Sequence, residues 1–171
     1  MFDFTKILLG SIFISGALYA EVGTLSRVID GDTIKLGSKT IRLYGIDTPE
    51  SKLNKRASRK INKCVGLTTS HMLKAGKLAS NELSKLLKPG KKYKYEIIDT
   101  DRYGRLVANV FIDNRATVNN LLVFNGYAVP YYKYIKSRDE RKIYKKLSSS
   151  AKKNNRGLYK SYSSVMNCLS K

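Results

Sequence analysis

From Thr24 to Ile46 the chain alternates short apolar runs with turn pairs, and this rhythm confines it to closely spaced antiparallel strands. Val28, Ile29, Ile34, Leu36, Ile41, Leu43 and Ile46 recur at short intervals. Asp30-Gly31 and Gly37-Ser38 supply the turns between them. The segment reads as a three-stranded meander, and Pro49 ends its third strand.

The rest of the chain decides what the meander joins. Residues 51–66 carry Lys52, Lys55, Arg56, Arg59, Lys60 and Lys63 with little apolar periodicity, so they read as an irregular basic segment. Helical spacing begins near Ser70, with Met72, Leu73, Leu78, Ala79, Leu83, Leu86 and Leu87, and ends at Pro89-Gly90. Residues 93–98 and 106–112 read as two further strands. The polar stretch between them turns at Gly104. A short helix fits 118–124, closed by Gly126. The last helix opens on a capping box in which Ser137 caps and Glu140 reaches back, and it runs to about Lys153. Five strands with a helix between the third and fourth is the order of an OB-fold, a small Greek-key barrel. The predicted class is mainly β, a five-stranded barrel plus three α-helices. The predicted organisation is one domain over 21–160 and a C-terminal tail over 161–171.

Charge narrows the partners. Lys and Arg number 33 against 13 Asp and Glu in 171 residues, a net charge of +20. Charge of that size draws polyanions, with nucleic acid first and anionic membranes or ribosomal assemblies behind it. Residues 1–20 differ from the remainder: Lys6, an apolar run over 7–14, then Ser15-Gly16-Ala17 and Ala20. This is the plan of a signal peptide, with cleavage after Ala20 or after Ala17, and it implies a secreted or periplasmic protein. Its apolar run is shorter than the roughly 20 residues that span a bilayer. The alternatives are a buried strand or an uncleaved anchor. Cys64 and Cys168 suit a disulfide in an exported chain, or they are two unrelated thiols. His71 is the only histidine, and the cysteines lack zinc spacing, which speaks against a Cys/His metal centre.

Inside this basic protein Asp32, Asp47 and Glu50 lie within nineteen residues, with Arg42 among them. Such a cluster suits a place where a metal ion and a polyanion meet. Asp32 opens a strand and by alternation shares the apolar face of Ile34 and Leu36. Arg42 and Asp47 converge only if the strand is bulged, and Gly45 is the natural position. The carboxylates with the Thr48 main-chain oxygen form an all-oxygen set suited to Ca²⁺ or Mg²⁺. Glu50 is placed as a general base on water or as an outer-sphere ligand. Arg42 and Arg105 offer permanently charged planar forks for phosphoryl oxygens. Neither Arg42 nor Glu50 is expected in the core.

Asp30-Gly31-Asp32-Thr33, the Arg42 to Glu50 block and Asp101-Arg102-Tyr103-Gly104-Arg105 together resemble the signature blocks of the staphylococcal nuclease (thermonuclease) family. The resemblance covers about 22–159 and implies Ca²⁺-dependent hydrolysis of DNA and RNA that leaves 3′-phosphates. It implies Asp32 and Asp47 as Ca²⁺ ligands with the Thr48 main-chain oxygen, Glu50 as the catalytic glutamate, and Arg42 and Arg105 as clamps on the scissile phosphate. It further implies nucleotide contacts from Tyr103 with its neighbour Arg102, and from one or two of Tyr131, Tyr132 and Tyr134. The chain departs from the family in its longer basic segment after Glu50, expected to grip the substrate strand or else to be only a solvated loop, and in its tail to Cys168. The expected state is a monomer without an obligate protein partner. The competing reading is a barrel that binds nucleic acid without efficient cleavage, tethered to a membrane if the leader stays uncleaved.

Overall fold

The computed structural model describes residues 20–64, 66–114 and 116–170. The expected leader lies outside them. Five strands close a barrel in the order β1-β2-β3-β6-β5. They are β1 (Glu21–Asp30), β2 (Thr33–Leu36), β3 (Lys39–Leu43), β5 (Lys92–Thr100) and β6 (Leu106–Val110). The long β1 serves both neighbours, pairing β5 through its first half and β2 through its second. Two register shifts in the β1–β2 pairing give β1 the bend that closure needs. The expected five-stranded barrel is therefore present. A separate two-residue pairing joins β4 (Ile46–Asp47) to β7 (Val129–Pro130).

The helices exceed the three expected. Among the described residues they are α1 (Lys55–Lys63), α2 (Thr69–Leu86), α3 (Val118–Phe124), α4 (Arg138–Lys153), α5 (Leu158–Ser161) and α6 (Ser163–Leu169). The basic segment is thus helical rather than irregular. Asn54 caps α1 by accepting from the Arg56 and Ala57 amides. Its inward line is the sparse set Ala57, Ile61 and Cys64, four and three residues apart, which the surrounding lysines conceal. The tail is helical too. Ser137 caps α4 as expected, but the Glu140 carboxylate accepts from the Tyr44 hydroxyl, 3.3 Å away, and so links α4 to the end of β3. None of these helices is long and apolar enough to cross a membrane.

Two apolar clusters hold the elements. The barrel core gathers Leu25, Ile34, Leu36, Ile41, Leu43, Tyr95, Ala108 and Val110, and Leu83 of α2, Leu87 at its C-cap and Leu122 of α3 pack against it. A second cluster of Leu67, Met72, Ala75, Val129, Leu158, Val165 and Met166 fastens α2 to the C-terminal helices. Cys64, at the C-cap of α1, is disulfide-linked to Cys168 of α6, with the Cα atoms 5.9 Å apart.

Candidate active site

Register brings Asp32, Arg42 and Arg105 to one end of the barrel. β2 and β3 pair Thr33 with Arg42, and the Leu43 amide donates to the Asp32 carbonyl at 2.8 Å, so Asp32 lies beside Arg42. β3 and β6 run parallel with Arg42 opposite Val107, which sets Arg105 at the same end of the barrel. Asp32 occupies the turn ahead of β2 rather than the strand itself. The alternation that turns Ile34 and Leu36 inward therefore does not extend to it, correcting the shared-face expectation.

Asp47 reaches the cluster by a strand break rather than a bulge. Gly45 takes φ +72°, and the chain leaves the barrel to pair with β7. The fully buried Asn119 secures this exit. Its Nδ2 donates to the Tyr44 carbonyl at 2.9 Å and its Oδ1 accepts from the Val110 amide at 3.1 Å. Nothing in the sequence around Asn119 signalled that role.

Arg42 is the hub. Its guanidinium lies 2.7 Å from Asp32 Oδ1 and 3.3 Å from Asp47 Oδ1. Arg42 is only 8% exposed and Glu50 only 7%, so both are buried, against expectation. Burial by itself would lift the Asp32 carboxyl, but the charges of Arg42, Arg56 and Lys60 hold it below the ordinary value of 3.8. Burial would likewise weaken the Arg42 cation, and the Asp32 and Asp47 carboxylates reverse that and push it higher. Asp30 moves the other way: burial and the Asp32 charge raise its carboxyl.

A cleft of about 380 Å³ opens over this cluster. Asp32, Arg42, Thr48, Glu50 and Arg105 line it, together with Tyr103. Arg105 is aimed by Asp101, whose Oδ2 accepts from its Nε at 2.8 Å. Tyr103 is 68% exposed, and the Arg102 guanidinium rests on its ring 4.8 Å from the centroid. That is a flat, cationic platform at the cleft mouth, suited to stacking a base. Tyr131 and Tyr132 do not line the cleft. The Tyr131 amide donates to the Gly45 carbonyl, and Tyr131 packs edge-on against Tyr134, so this region supports the strand exit.

Two cations against the acidic cluster have no counterpart among the residues expected from the sequence, and of them Arg56 lines the cleft. Arg56 and Lys60, one turn apart on α1, point inward. Arg56 pairs with Asp47 and places Nε 3.0 Å from Glu50 Oε1. Lys60 Nζ lies 2.8 Å from Asp47 Oδ2 and 3.3 Å from Glu50 Oε1. The Asn54 amide adds a bond to Glu50 Oε2 at 3.1 Å. The spacing of Ala57 and Ile61 marks the inward face of α1, but too sparsely to reveal the helix in the sequence.

The family model described as staphylococcal nuclease homologue matches residues 40–161, which holds most of this site and most of the chain. The chain belongs to that family. It is 31% identical over 145 residues to the endonuclease YhcR of Bacillus subtilis (strain 168), covering 80% of this chain and 11% of that protein. It is 38% identical over 105 residues to the endonuclease YncB of the same organism, covering 58% of this chain and 43% of that protein. With the succinoglycan biosynthesis protein ExoI of Rhizobium meliloti (strain 1021) it shares 28% identity over 149 residues, covering 85% of this chain and 68% of that protein. The chain thus spans under half the length of either endonuclease.

The donor atoms bear on a metal directly. Among the described residues no three His, Cys, Asp or Glu side chains converge as a metal cluster. The oxygens at hand are instead the Asp32 and Asp47 carboxylates, both paired with Arg42, and the Thr48 carbonyl, 3.4 Å from Lys60 Nζ. These are hard oxygen donors, and they fit a hard divalent cation.

Proposed function

We propose that this protein is an exported, Ca²⁺-dependent nuclease that hydrolyses phosphodiester bonds in DNA and RNA with little sugar specificity, leaving 3′-phosphates. The observation that carries the proposal is one cleft lined by Arg42, Glu50 and Arg105 beside the Asp32 and Asp47 carboxylates. Asp32, Asp47 and the Thr48 main-chain oxygen would hold Ca²⁺, or Mg²⁺ in its place. When bound, the ion would supply positive charge against the scissile phosphate.

The chain's own groups do the remainder. Arg42 and Arg105 approach the phosphate from β3 and from the start of β6, and neither gives up its charge at any working pH. Each suits the charge that builds on the phosphoryl oxygens. Glu50 takes the proton of the attacking water as general base. Tyr103 and Arg102 hold a neighbouring base at the mouth. A binding-only barrel has no need of a buried carboxylate in a cleft that two arginines also line, which favours catalysis.

The test is digestion of single- and double-stranded DNA and RNA with Ca²⁺, Mg²⁺ or chelator, with the product ends analysed. Cleavage that requires the divalent ion, gives 3′-phosphates and drops by about 10³-fold or more in E50Q supports the proposal. Intact substrate under every metal condition rejects it. Export is read separately, by the N-terminal sequence of protein recovered outside the cytoplasm.

A further inference from the structure

Lys60 Nζ contacts Asp47 Oδ2 at 2.8 Å, Glu50 Oε1 at 3.3 Å and the Thr48 carbonyl at 3.4 Å. Two of those oxygens, from Asp47 and Thr48, belong to the set assigned to the divalent ion. Arg56, one turn earlier, pairs with the same Asp47 and the same Glu50. Three carboxylates, of Asp32, Asp47 and Glu50, thus face three fixed cations, of Arg42, Arg56 and Lys60. The local charge is already balanced. A divalent ion added to that arrangement meets an ammonium and a guanidinium on its own donor atoms.

We propose that Lys60 and Arg56 form a tethered counter-cation that a divalent ion must displace, so that α1 sets the metal affinity of the site and keeps Glu50 engaged until the ion enters. The inference rests on the reading of Asp32, Asp47 and Thr48 as the metal set. The helix is built for such a role. Its N-cap residue Asn54 holds the far oxygen of Glu50, and its C-cap residue Cys64 is bonded to Cys168. Only Ala57 of α1 is fully buried, so little apolar packing opposes movement of its middle turn. Lys55, Arg59 and Lys63 face outward and leave the inward pair as the charges that contact the acidic cluster.

The full-length protein is titrated with Ca²⁺ by calorimetry and with Tb³⁺ by luminescence, as wild type, K60M, R56M and K60M/D47N. The folded state of each variant is checked by circular dichroism. K60M and R56M are expected to bind either ion roughly tenfold more tightly or better, because each removes a like charge that contacts the Asp47 carboxylate assigned to the ion. R56M reads the same competition if K60M does not fold. K60M/D47N is expected to lose the gain and most of the binding. Binding that depends on Asp47 but is no tighter in K60M and R56M overturns the counter-cation and leaves the metal set standing. Binding indifferent to D47N, or absent in every variant, overturns both. Hydrogen exchange supplies a readout that a purely structural helix would not move: on adding Ca²⁺ to the wild type, the amides of Lys55–Lys63 should exchange faster. Unchanged or slower exchange there counts against the proposal.

Discussion

Arg42 bears on stability and on chemistry at once, because it is the buried cation between Asp32 and Asp47. Removing one partner of a buried ion pair leaves the other desolvated and unpaired, which costs about 3 kcal/mol or more. Arg56 and Lys60 still face Asp47, so Asp32 suffers most. R42M should therefore lower the unfolding free energy by about 3 kcal/mol and turnover by about 10³-fold, read by chemical denaturation and by initial rates. Full stability with lost turnover would show that Arg42 acts on substrate alone. Asp101 allows a cleaner pH argument. Burial would raise its carboxyl, but Arg105 and the backbone amides of the turn hold it below the ordinary 3.8. A depressed carboxylate contributes its stability above the unfolded pKa and loses it as pH falls through the lower folded value. Melts of wild type and D101N should thus differ by a constant amount above about pH 4 and converge below it. A gap that widens on acidification would contradict the assignment. The gathering of Asp32, Arg42, Glu50 and Arg105 in one cleft was legible from the combination of the three sequence blocks, not from any one residue. Arg56 and Lys60 were not, since an arginine or lysine in a basic run looks the same whether it faces water or a carboxylate.

Elements decide where these side chains point, and α2 shows how closely. A Cβ on Gly76 would come within 2.2 Å of the Glu50 carbonyl, so the helix touches the backbone that carries the proposed base. G76A gains helix propensity of about 1 kcal/mol but forces a shift whose overpacking costs about 1 to 3 kcal/mol. Stability should fall, by up to about 2 kcal/mol, because the atoms in the way are backbone. Activity should fall by about 10²-fold, because a displacement of about 1 Å at a catalytic group costs that much. Unaltered turnover in G76A would mean that the Glu50 segment yields without consequence. The Cys64–Cys168 link acts on the other side of the site, with a sequence separation of 104. A loop of that length constrains the unfolded chain by up to about 4 to 5 kcal/mol in the chain-entropy model. C64S/C168S should therefore unfold at clearly lower denaturant, and an unchanged midpoint would remove the link from the stability account. The barrel strands and α2 to α4 were readable because apolar spacing and turn residues mark them. The helix α1 was not, because Ala57, Ile61 and Cys64 make a face too thin to register among its five basic residues. The strand break at Gly45 was misread as a bulge, since only the distant β7 and Asn119 supply partners for the departing chain.

At the scale of the whole molecule, the site exists only when distant segments meet. Arg105 reaches Arg42 through parallel pairing of β3 with β6, and Cys64 reaches Cys168 across most of the chain. The net charge of +20 then acts on the approach of the substrate. Part of that charge is spent internally, because Arg42, Arg56 and Lys60 are paired with carboxylates in the cleft. Lys55, Arg59 and Lys63 remain on the outer face of α1 for an incoming strand. The basic segment therefore divides by face into an inward half that neutralises the cluster and an outward half that can meet phosphates. If about four phosphates are contacted, single-strand affinity should fall by roughly 50-fold between 50 and 200 mM salt. Measuring this with E50Q separates binding from cleavage. Neutralising the outward half, as K55Q/R59Q/K63Q, should flatten the salt slope by about two units. K60Q should leave that slope nearly unchanged, since its ammonium faces carboxylates rather than solvent. A slope equally reduced by K60Q would place the inward half on the substrate and dissolve the division of labour across α1.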